Sequence, residues 1–452
     1  MTQQDIFSYL YDKLHIGDKK IALIELFGGI GSQHAALRNL EKDGLLPNGF
    51  ISHRLVEWDK DCVNAYNSIF GTDYVPMDIT KVHATDLGIN ERDKYNYLMV
   101  YSFPCQDISI SGNMKGFKKE KGTRSGLLWE VERILNECGT ELPQVLLLEN
   151  VKNIISEKFK PDFLKWLDYL ESKGYQNYWK VVNSKNVGYP EPVPQNRERV
   201  FVVSVLGDLY YQFPKKTKLK HTLSDLLEKN VDKKYYLSDK MVNYILNRTP
   251  LGEKGNFANN LIGNDFKRVA GTLTTKGSGG SSARGEDTLI VDNMTQAEID
   301  QKIYLKDSNS VKRVGSYAPS GHNSHSVVDP SGIAPTFMEN HGSVTGVVIE
   351  DNVKVVGGIG EKKSNDGRQW YQQNRIYDDK VALSVTTSFN PYYLDKKLAI
   401  RKLTPREAWR LMAFSDSDYD QAAKVTTQTQ LYKQAGNSIV VNVLEALIKE
   451  ML

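Results

Sequence analysis

Lys20-Ile21-Ala22-Leu23-Ile24-Glu25-Leu26-Phe27 reads as a continuous apolar run broken by one acid, and Gly28-Gly29-Ile30-Gly31 follows directly. Ala35, Ala36, Leu37 and Leu40 then fall at helical spacing. A buried strand, a glycine turn and a helix in that order open a doubly wound α/β fold. The alternation persists downstream. Residues 50–56, 97–101, 144–148 and 200–206 are strand-like, while 59–70, 126–138 and 163–173 have helical spacing. A short helix over 1–18 is predicted to lead in. In open sheets of this kind, functional groups sit just past the strand ends.

After about residue 210 the texture changes. Residues 211–398 are rich in Gly, Ser, Asn, Thr and Lys with short β-branched pieces, which predicts a second, β- and loop-rich domain. Three of its stretches, at 268–275, 332–338 and 380–387, are weakly alike, as β-rich sequences often are. Thr404-Pro405-Arg406-Glu407 is a capping box with Pro at the first helical position. Helical texture then runs to the end, so 399–452 are predicted to return to the first domain, 1–210.

The chain has 452 residues, 40% hydrophobic and 25% charged, with a net charge of +3. That is an ordinary globular balance, ample for a core, and its mild basicity permits nucleic-acid binding without arguing for it. No run approaches a membrane span, and residues 1–6 lack the apolar core of a signal peptide. Cys62, Cys105 and Cys138 form no CxxC pair, which fits a reducing cytoplasm and argues against disulfides and a zinc site.

Three motifs carry chemistry. Cys105 lies in Tyr101-Ser102-Phe103-Pro104-Cys105-Gln106, with a basic, glycine-containing stretch over 109–124 behind it. A thiolate near arginines is a nucleophile, although a lone Cys is more often a small core residue. The stretch holding Ser109, Lys115 and Arg124 suits a loop that closes over DNA phosphates, or a solvated charged turn. Glu149 follows an apolar strand, where burial would keep its carboxyl protonated and able to donate to a ring nitrogen, unless it caps a helix. Arg197 and Arg199 alternate before 200–203 and so share one face, as base-binding groups or as edge charges. Together these groups suit attack on C6 of cytosine.

The glycine turn is weak alone, but it has partners. Glu57-Trp58 closes the second strand, where an acid can hold ribose hydroxyls and an indole can stack on a purine. The blander reading makes Glu57 a helix cap and Trp58 core. Asp78-Ile79 is predicted to close a third strand and meet the adenine edge. Spacing Gly28-Gly29-x-Gly31 departs from GxGxxG and suits a nucleoside without pyrophosphate.

The ordered set resembles the bacterial and phage DNA (cytosine-5) methyltransferases over nearly the whole length. The matches are Phe27-Gly28-Gly29-Ile30-Gly31, Glu57-Trp58-Asp59, Asp78-Ile79, Phe103-Pro104-Cys105-Gln106, Glu149-Asn150-Val151, Gln195-Asn196-Arg197-Glu198-Arg199, Arg401-Lys402-Leu403-Thr404-Pro405-Arg406-Glu407 and Gly436-Asn437-Ser438. The resemblance implies a Rossmann-like methyltransferase domain, with 211–398 as the smaller target recognition domain. It implies Cys105 as the nucleophile, Glu149 and Arg199 holding a flipped cytosine, and Arg197 in support. It implies S-adenosyl-L-methionine bound by Phe27, Gly29, Ile30, Glu57, Trp58, Asp78, Ile79, Pro104, Leu127, Asn437, Ser438 and Ile439. For the family's Thr-Leu type pair, Ser384-Val385 matches by position and Thr272-Leu273 by type. The expected partner is double-stranded DNA, read by a monomer without metal or membrane, and a cognate restriction endonuclease is a candidate companion.

Two other readings remain. An RNA cytosine-5 methyltransferase would not need so large a recognition segment. A decayed, non-catalytic DNA-binding protein would not keep every catalytic residue type. An amino-methyltransferase would carry a different motif where Phe103 to Gln106 stand.

Overall fold

The structure is a computed structural model that describes residues 12–104, 108, 124–236 and 403–452, together with short strands lying between 313 and 402. Contacts divide the chain into two compact units. One comprises Met1–Leu226, Ile333–Gly342 and Pro405–Leu452, and the other Leu227–Gly332 and Ser343–Thr404.

The first unit is built on a six-stranded sheet. Its strands are β1 (Lys20–Leu26), β2 (Phe50–Val56), β3 (Tyr95–Tyr101), β4 (Val145–Val151), β5 (Tyr175–Asn183) and β6 (Glu198–Leu206). Their spatial order is β2-β1-β3-β4-β6-β5. The first four run parallel, and β6 is antiparallel to both its neighbours. Ile21, Leu23, Ile24, Leu98, Val100, Leu146 and Leu147 are fully buried, as strands covered on both faces require. Each such side chain contributes roughly 1.5–3 kcal/mol of burial. The doubly wound expectation holds, while the reversal of β6 was not legible because an apolar run has no direction.

Four longer helices connect the strands, α1 (Ser32–Lys42), α2 (Lys60–Phe70), α3 (Leu128–Glu137) and α4 (Lys160–Ser172), with a one-turn helix at Ala84–Leu87 before β3. Gly71 closes α2 in the left-handed conformation, and Asp59 caps its start by accepting from the Asp61 and Cys62 amides. The final segment supplies α5 (Pro405–Leu411), α6 (Asp416–Ala423), α7 (Gln428–Asn437) and α8 (Val441–Lys449). Pro405–Leu452 falls in the first unit, while the residues up to Thr404 fall in the second. Arg38 of α1 grips Asp418 of α6 through two 2.8 Å hydrogen bonds, and Asn39 donates to Glu445 of α8 at 2.6 Å.

Three expectations need correction. Residues 12–18 form no helix: Asp12–Lys13 is a strand pairing with Leu209–Tyr210, and residues 1–11 lie outside the described residues. The first unit also runs past residue 210 to Leu226, because Tyr211 and Phe213 are buried in it and the Tyr211 hydroxyl donates to the Leu447 carbonyl. Asp78 does not close a strand. It caps a single 3-10 turn, Ile79–Lys81.

In the second unit, Gly346–Asp351 pairs antiparallel with Lys397–Lys402, Arg313–Ser316 with Ser326–Val328, and Val355–Gly358 with Arg375–Tyr377. No helix among the described residues is long and apolar enough to cross a membrane.

Candidate active site

The parallel strands end together, and the side chains past their ends form two groups. On the β1–β2 side the chain turns sharply. Phe27, Gly29 and Gly31 all have positive φ, at 57°, 58° and 83°. The Phe27 and Gly28 amides donate to the Val56 carbonyl at 2.8 and 3.3 Å, locking the turn to β2. A Cβ on Gly28 would stand 2.4 Å from Leu55 Cδ1, whereas a Cβ on Gly29 would meet nothing within 4 Å. The turn is therefore packed beneath and open above.

Glu57 reaches back across this turn. Its Oε2 accepts the Gly29 amide at 2.9 Å and its Oε1 the Asp59 amide at 2.8 Å. Burial pushes its pKa up, and those amides pull against that shift. Asp59, not Glu57, is the helix cap. Trp58 is 77% exposed and so not core: its indole face is free to stack. The Met77 amide donates to the Glu57 carbonyl at 2.7 Å, bringing the Asp78-Ile79 turn alongside. Asp78 is exposed, and its bonds to Thr80 hold its carboxyl below the usual range. Ile30, Ile79, Ser438 and Ile439 are buried, while Phe27, Pro104 and Leu127 are partly so and Asn437 is exposed. Lys433 of α7 ties to this edge through Asp59 at 2.8 Å, and Gln434 donates to the Asp61 carbonyl at 3.1 Å. An open glycine turn, a buried acid and an exposed indole are what an adenosyl group needs.

On the β4–β6 side, Glu149 and Arg199 sit diagonally on adjacent strands, since Glu149 registers with Phe201 and Val151 with Arg199. Arg199 Nε lies 3.0 Å from Glu149 Oε1. Burial drives the Glu149 pKa up, with Arg199 and then Arg197 opposing it. Arg197 is buried and donates to the Gly436 and Ser438 carbonyls at 3.1 and 2.8 Å. A narrow pocket joins Glu149, Arg197, Arg199 and Phe201 to Ile439 and Val440. Both arginines thus face one site, and Glu149 is no helix cap.

The family model for C-5 cytosine-specific DNA methylases matches residues 21–452. The chain belongs to that family. Among curated relatives it is similar to the type II methyltransferase M2.ScrFI of Lactococcus lactis subsp. cremoris, 32% identical over 78% of this chain and 65% of the relative, so just under two thirds of that relative is spanned. It is also similar to the orphan methyltransferase M.SPRI of Bacillus phage SPR, 26% identical over 96% of this chain and 98% of the other. The solved structure of the Entamoeba histolytica methyltransferase EhMeth shares the fold, with TM-score 0.53 at 17% identity over 96% of this chain and 98% of that one.

Within this family member, Cys105, Ser109, Lys115, Thr272 and Ser384 lie outside the described residues, and only the backbone turn Arg124–Leu127 is described for Arg124. The flanks of the cysteine are described. Asn150 Nδ2 donates to the Phe103 carbonyl at 3.1 Å, and Asn153 Nδ2 to the Ile108 carbonyl at 2.5 Å. Asn150 lies in β4 and Asn153 in the 3-10 turn Lys152–Ile155 that follows it, so the strand that carries Glu149 and its exit turn anchor the described residues on each side of Cys105. The role of Asn153 was missed. Its only signal was a polar residue in the turn after Glu149. Among the described residues no cluster of His, Cys, Asp and Glu could hold a metal ion.

Proposed function

We propose that this chain is a sequence-specific DNA (cytosine-5) methyltransferase that modifies a flipped-out cytosine in duplex DNA. The observation that carries the reading is Glu149, a buried carboxyl with raised pKa that shares a pocket with Arg197 and Arg199. A cytosine stacked in a duplex hides the faces of C5 and C6, so it must leave the helix to react. Its Watson–Crick edge then meets Glu149 and Arg199. Cys105, whose sequence flanks Phe103 and Ile108 are held by Asn150 and Asn153, adds as thiolate to C6. The Glu149 carboxyl gives a proton to N3, so the ring electrons collect at C5 rather than as charge on the ring.

Phe27, Gly29, Ile30, Glu57, Trp58, Asp78, Ile79, Pro104, Leu127, Asn437, Ser438 and Ile439 would bind S-adenosyl-L-methionine. When bound, that group supplies an electrophilic methyl for C5. A base then takes the C5 proton, the C6–S bond breaks, and Cys105 leaves as thiolate while N3 returns its proton to Glu149. We assign base reading to the second unit, with Thr272 or Ser384 as its candidates, and backbone contacts to Ser109, Lys115 and Arg124. The enzyme is proposed to act as a cytoplasmic monomer, with a cognate restriction endonuclease as a candidate companion.

Cytosine-conversion sequencing tests this. An unmethylated plasmid is incubated with the protein and S-adenosyl-L-methionine. Protected cytosines should recur at one short sequence, and Cys105→Ala should abolish them while keeping cofactor binding. Methylation by Cys105→Ala would overturn the covalent route. Transfer to tRNA in place of plasmid would move the activity to RNA.

A further inference from the structure

Residues 71–84 cross from α2 toward β3 without joining the sheet, yet they carry Asp78 and Ile79. Their backbone is held from outside by α3. Arg133 Nη2 donates to the Ile79 carbonyl at 3.1 Å and to the Val82 carbonyl at 2.8 Å. Its Nε donates to Glu130 at 2.8 Å and its Nη1 to Glu137 at 2.7 Å. Two carboxylates thus fix the plane of the guanidinium, and the remaining nitrogen clamps both ends of the 3-10 turn. Glu137 extends the grip, accepting the Ala84 amide at 3.1 Å and facing His83 Nδ1 at 3.2 Å. Burial of Ile79 and Val82 anchors the underside of the turn. Exposed Asp78 is held within the turn by Thr80 and by the Lys81 amide on its carbonyl, and the turn as a whole is tied to its surroundings by the Arg133 clamp and the Met77–Glu57 backbone bond.

We infer that Arg133 is a positioning residue for the adenine side of the cofactor pocket. It acts through the Ile79–Lys81 turn and touches no cofactor. The inference rests on the proposed reading of Asp78 and Ile79 as cofactor contacts. Lysine cannot replace the fork, since it lacks the planar donor set that joins two carboxylates to two carbonyls.

Titration calorimetry with S-adenosylhomocysteine tests it on the full chain, using Arg133→Met, Arg133→Gln, Asp78→Ala and the Asp78→Ala/Arg133→Met double variant. Loss of the two charge-assisted hydrogen bonds from Arg133 to the turn predicts about tenfold or more weaker binding for each Arg133 variant. The KM for S-adenosyl-L-methionine should rise in parallel, with kcat at saturation within about twofold. In the Asp78→Ala background the second substitution should weaken binding less than it does alone. Lowered thermal stability with unchanged affinity would overturn the inference and leave Arg133 purely structural. If Asp78→Ala is silent but the Arg133 variants still bind weakly, Arg133 positions the turn's backbone rather than the carboxylate. If all variants bind normally, the assignment of this turn to the cofactor fails as well.

Discussion

Arg199 Nε stands 3.0 Å from Glu149 Oε1, and the pair joins two adjacent antiparallel strands at one diagonal register. The arginine opposes the burial that raises the carboxyl's pKa. Removing it therefore moves that pKa further up. Activity that needs protonated Glu149 falls as pH rises through its pKa, so the alkaline limb should shift to higher pH in Arg199→Met. The maximal rate should also drop by on the order of 10²-fold, because the base loses a contact and its acid is misplaced. Single-turnover methyl transfer across pH would show this. A limb displaced toward lower pH would refute the assigned role.

Asn153 offers a test that leaves Glu149 untouched. Its amide donates to the Ile108 carbonyl, just beyond Cys105. Asn153→Ala should slow methyl transfer about tenfold or more by loosening the nucleophile's loop, since small misplacements of a reacting group are costly. Cofactor affinity should hold within about twofold, because Asn153 lies in the 3-10 turn after β4 rather than at the β1–β2 turn. Equal loss of both would mean that the whole sheet end had shifted.

The strands and the paired motifs were legible because parallel strands buried on both faces read as unbroken apolar runs and chemistry follows their ends. Glu57 and Trp58 follow the end of β2, whereas Glu149 lies within β4, Arg199 within β6, and Arg197 just before β6. What escaped was geometry between distant segments. Nothing in the spacing of Asn153 or Arg133 announces which carbonyl each will meet, since backbone acceptors carry no sequence signature. Asp78 was misplaced on a strand because Tyr74, Val75, Met77 and Ile79 around it are apolar. Its real partner, Thr80, is local, and Asx capping of this kind competes with strand pairing.

Two glycines of one turn should respond differently to alanine. Both have positive φ, but a Cβ on Gly31 would lie 2.5 Å from Phe70 and 2.6 Å from Tyr66. A Cβ on Gly29 would meet nothing. Gly29→Ala should cost about 1–2 kcal/mol of backbone strain. Gly31→Ala should cost that plus roughly 1–3 kcal/mol for overpacking two rings. Urea denaturation would rank them, and equal midpoints would contradict the packing. Gly29→Ala should still weaken cofactor binding, because its added methyl enters the open side of the turn.

Beneath that turn, Glu25 is fully buried in β1 and accepts from the Tyr66 hydroxyl at 2.6 Å. Burial pushes its pKa up to about 8, against the hydrogen bonds of Tyr66 and the His34 backbone. A carboxyl raised in this way stabilises the fold fully below its unfolded pKa, and that contribution is lost as pH rises through the folded value. Stability should therefore decline by about 1.4 kcal/mol per pH unit on account of Glu25 between its unfolded pKa and pH 8. Glu25→Gln keeps an acceptor for Tyr66 and cannot ionise, so most of that slope should vanish. A decline of similar slope, ending about one pH unit lower, should persist from Glu445, raised to about 7 by burial. On the acid side His34 acts in the opposite sense. Burial lowers its pKa to about 4, so its contribution is present above the usual histidine range and lost as pH falls. Glu25→Gln should leave that acid limb intact. Urea denaturation at a series of pH values would separate the two, and an unchanged neutral-to-alkaline slope in the variant would show that Glu25 is ionised in the folded protein.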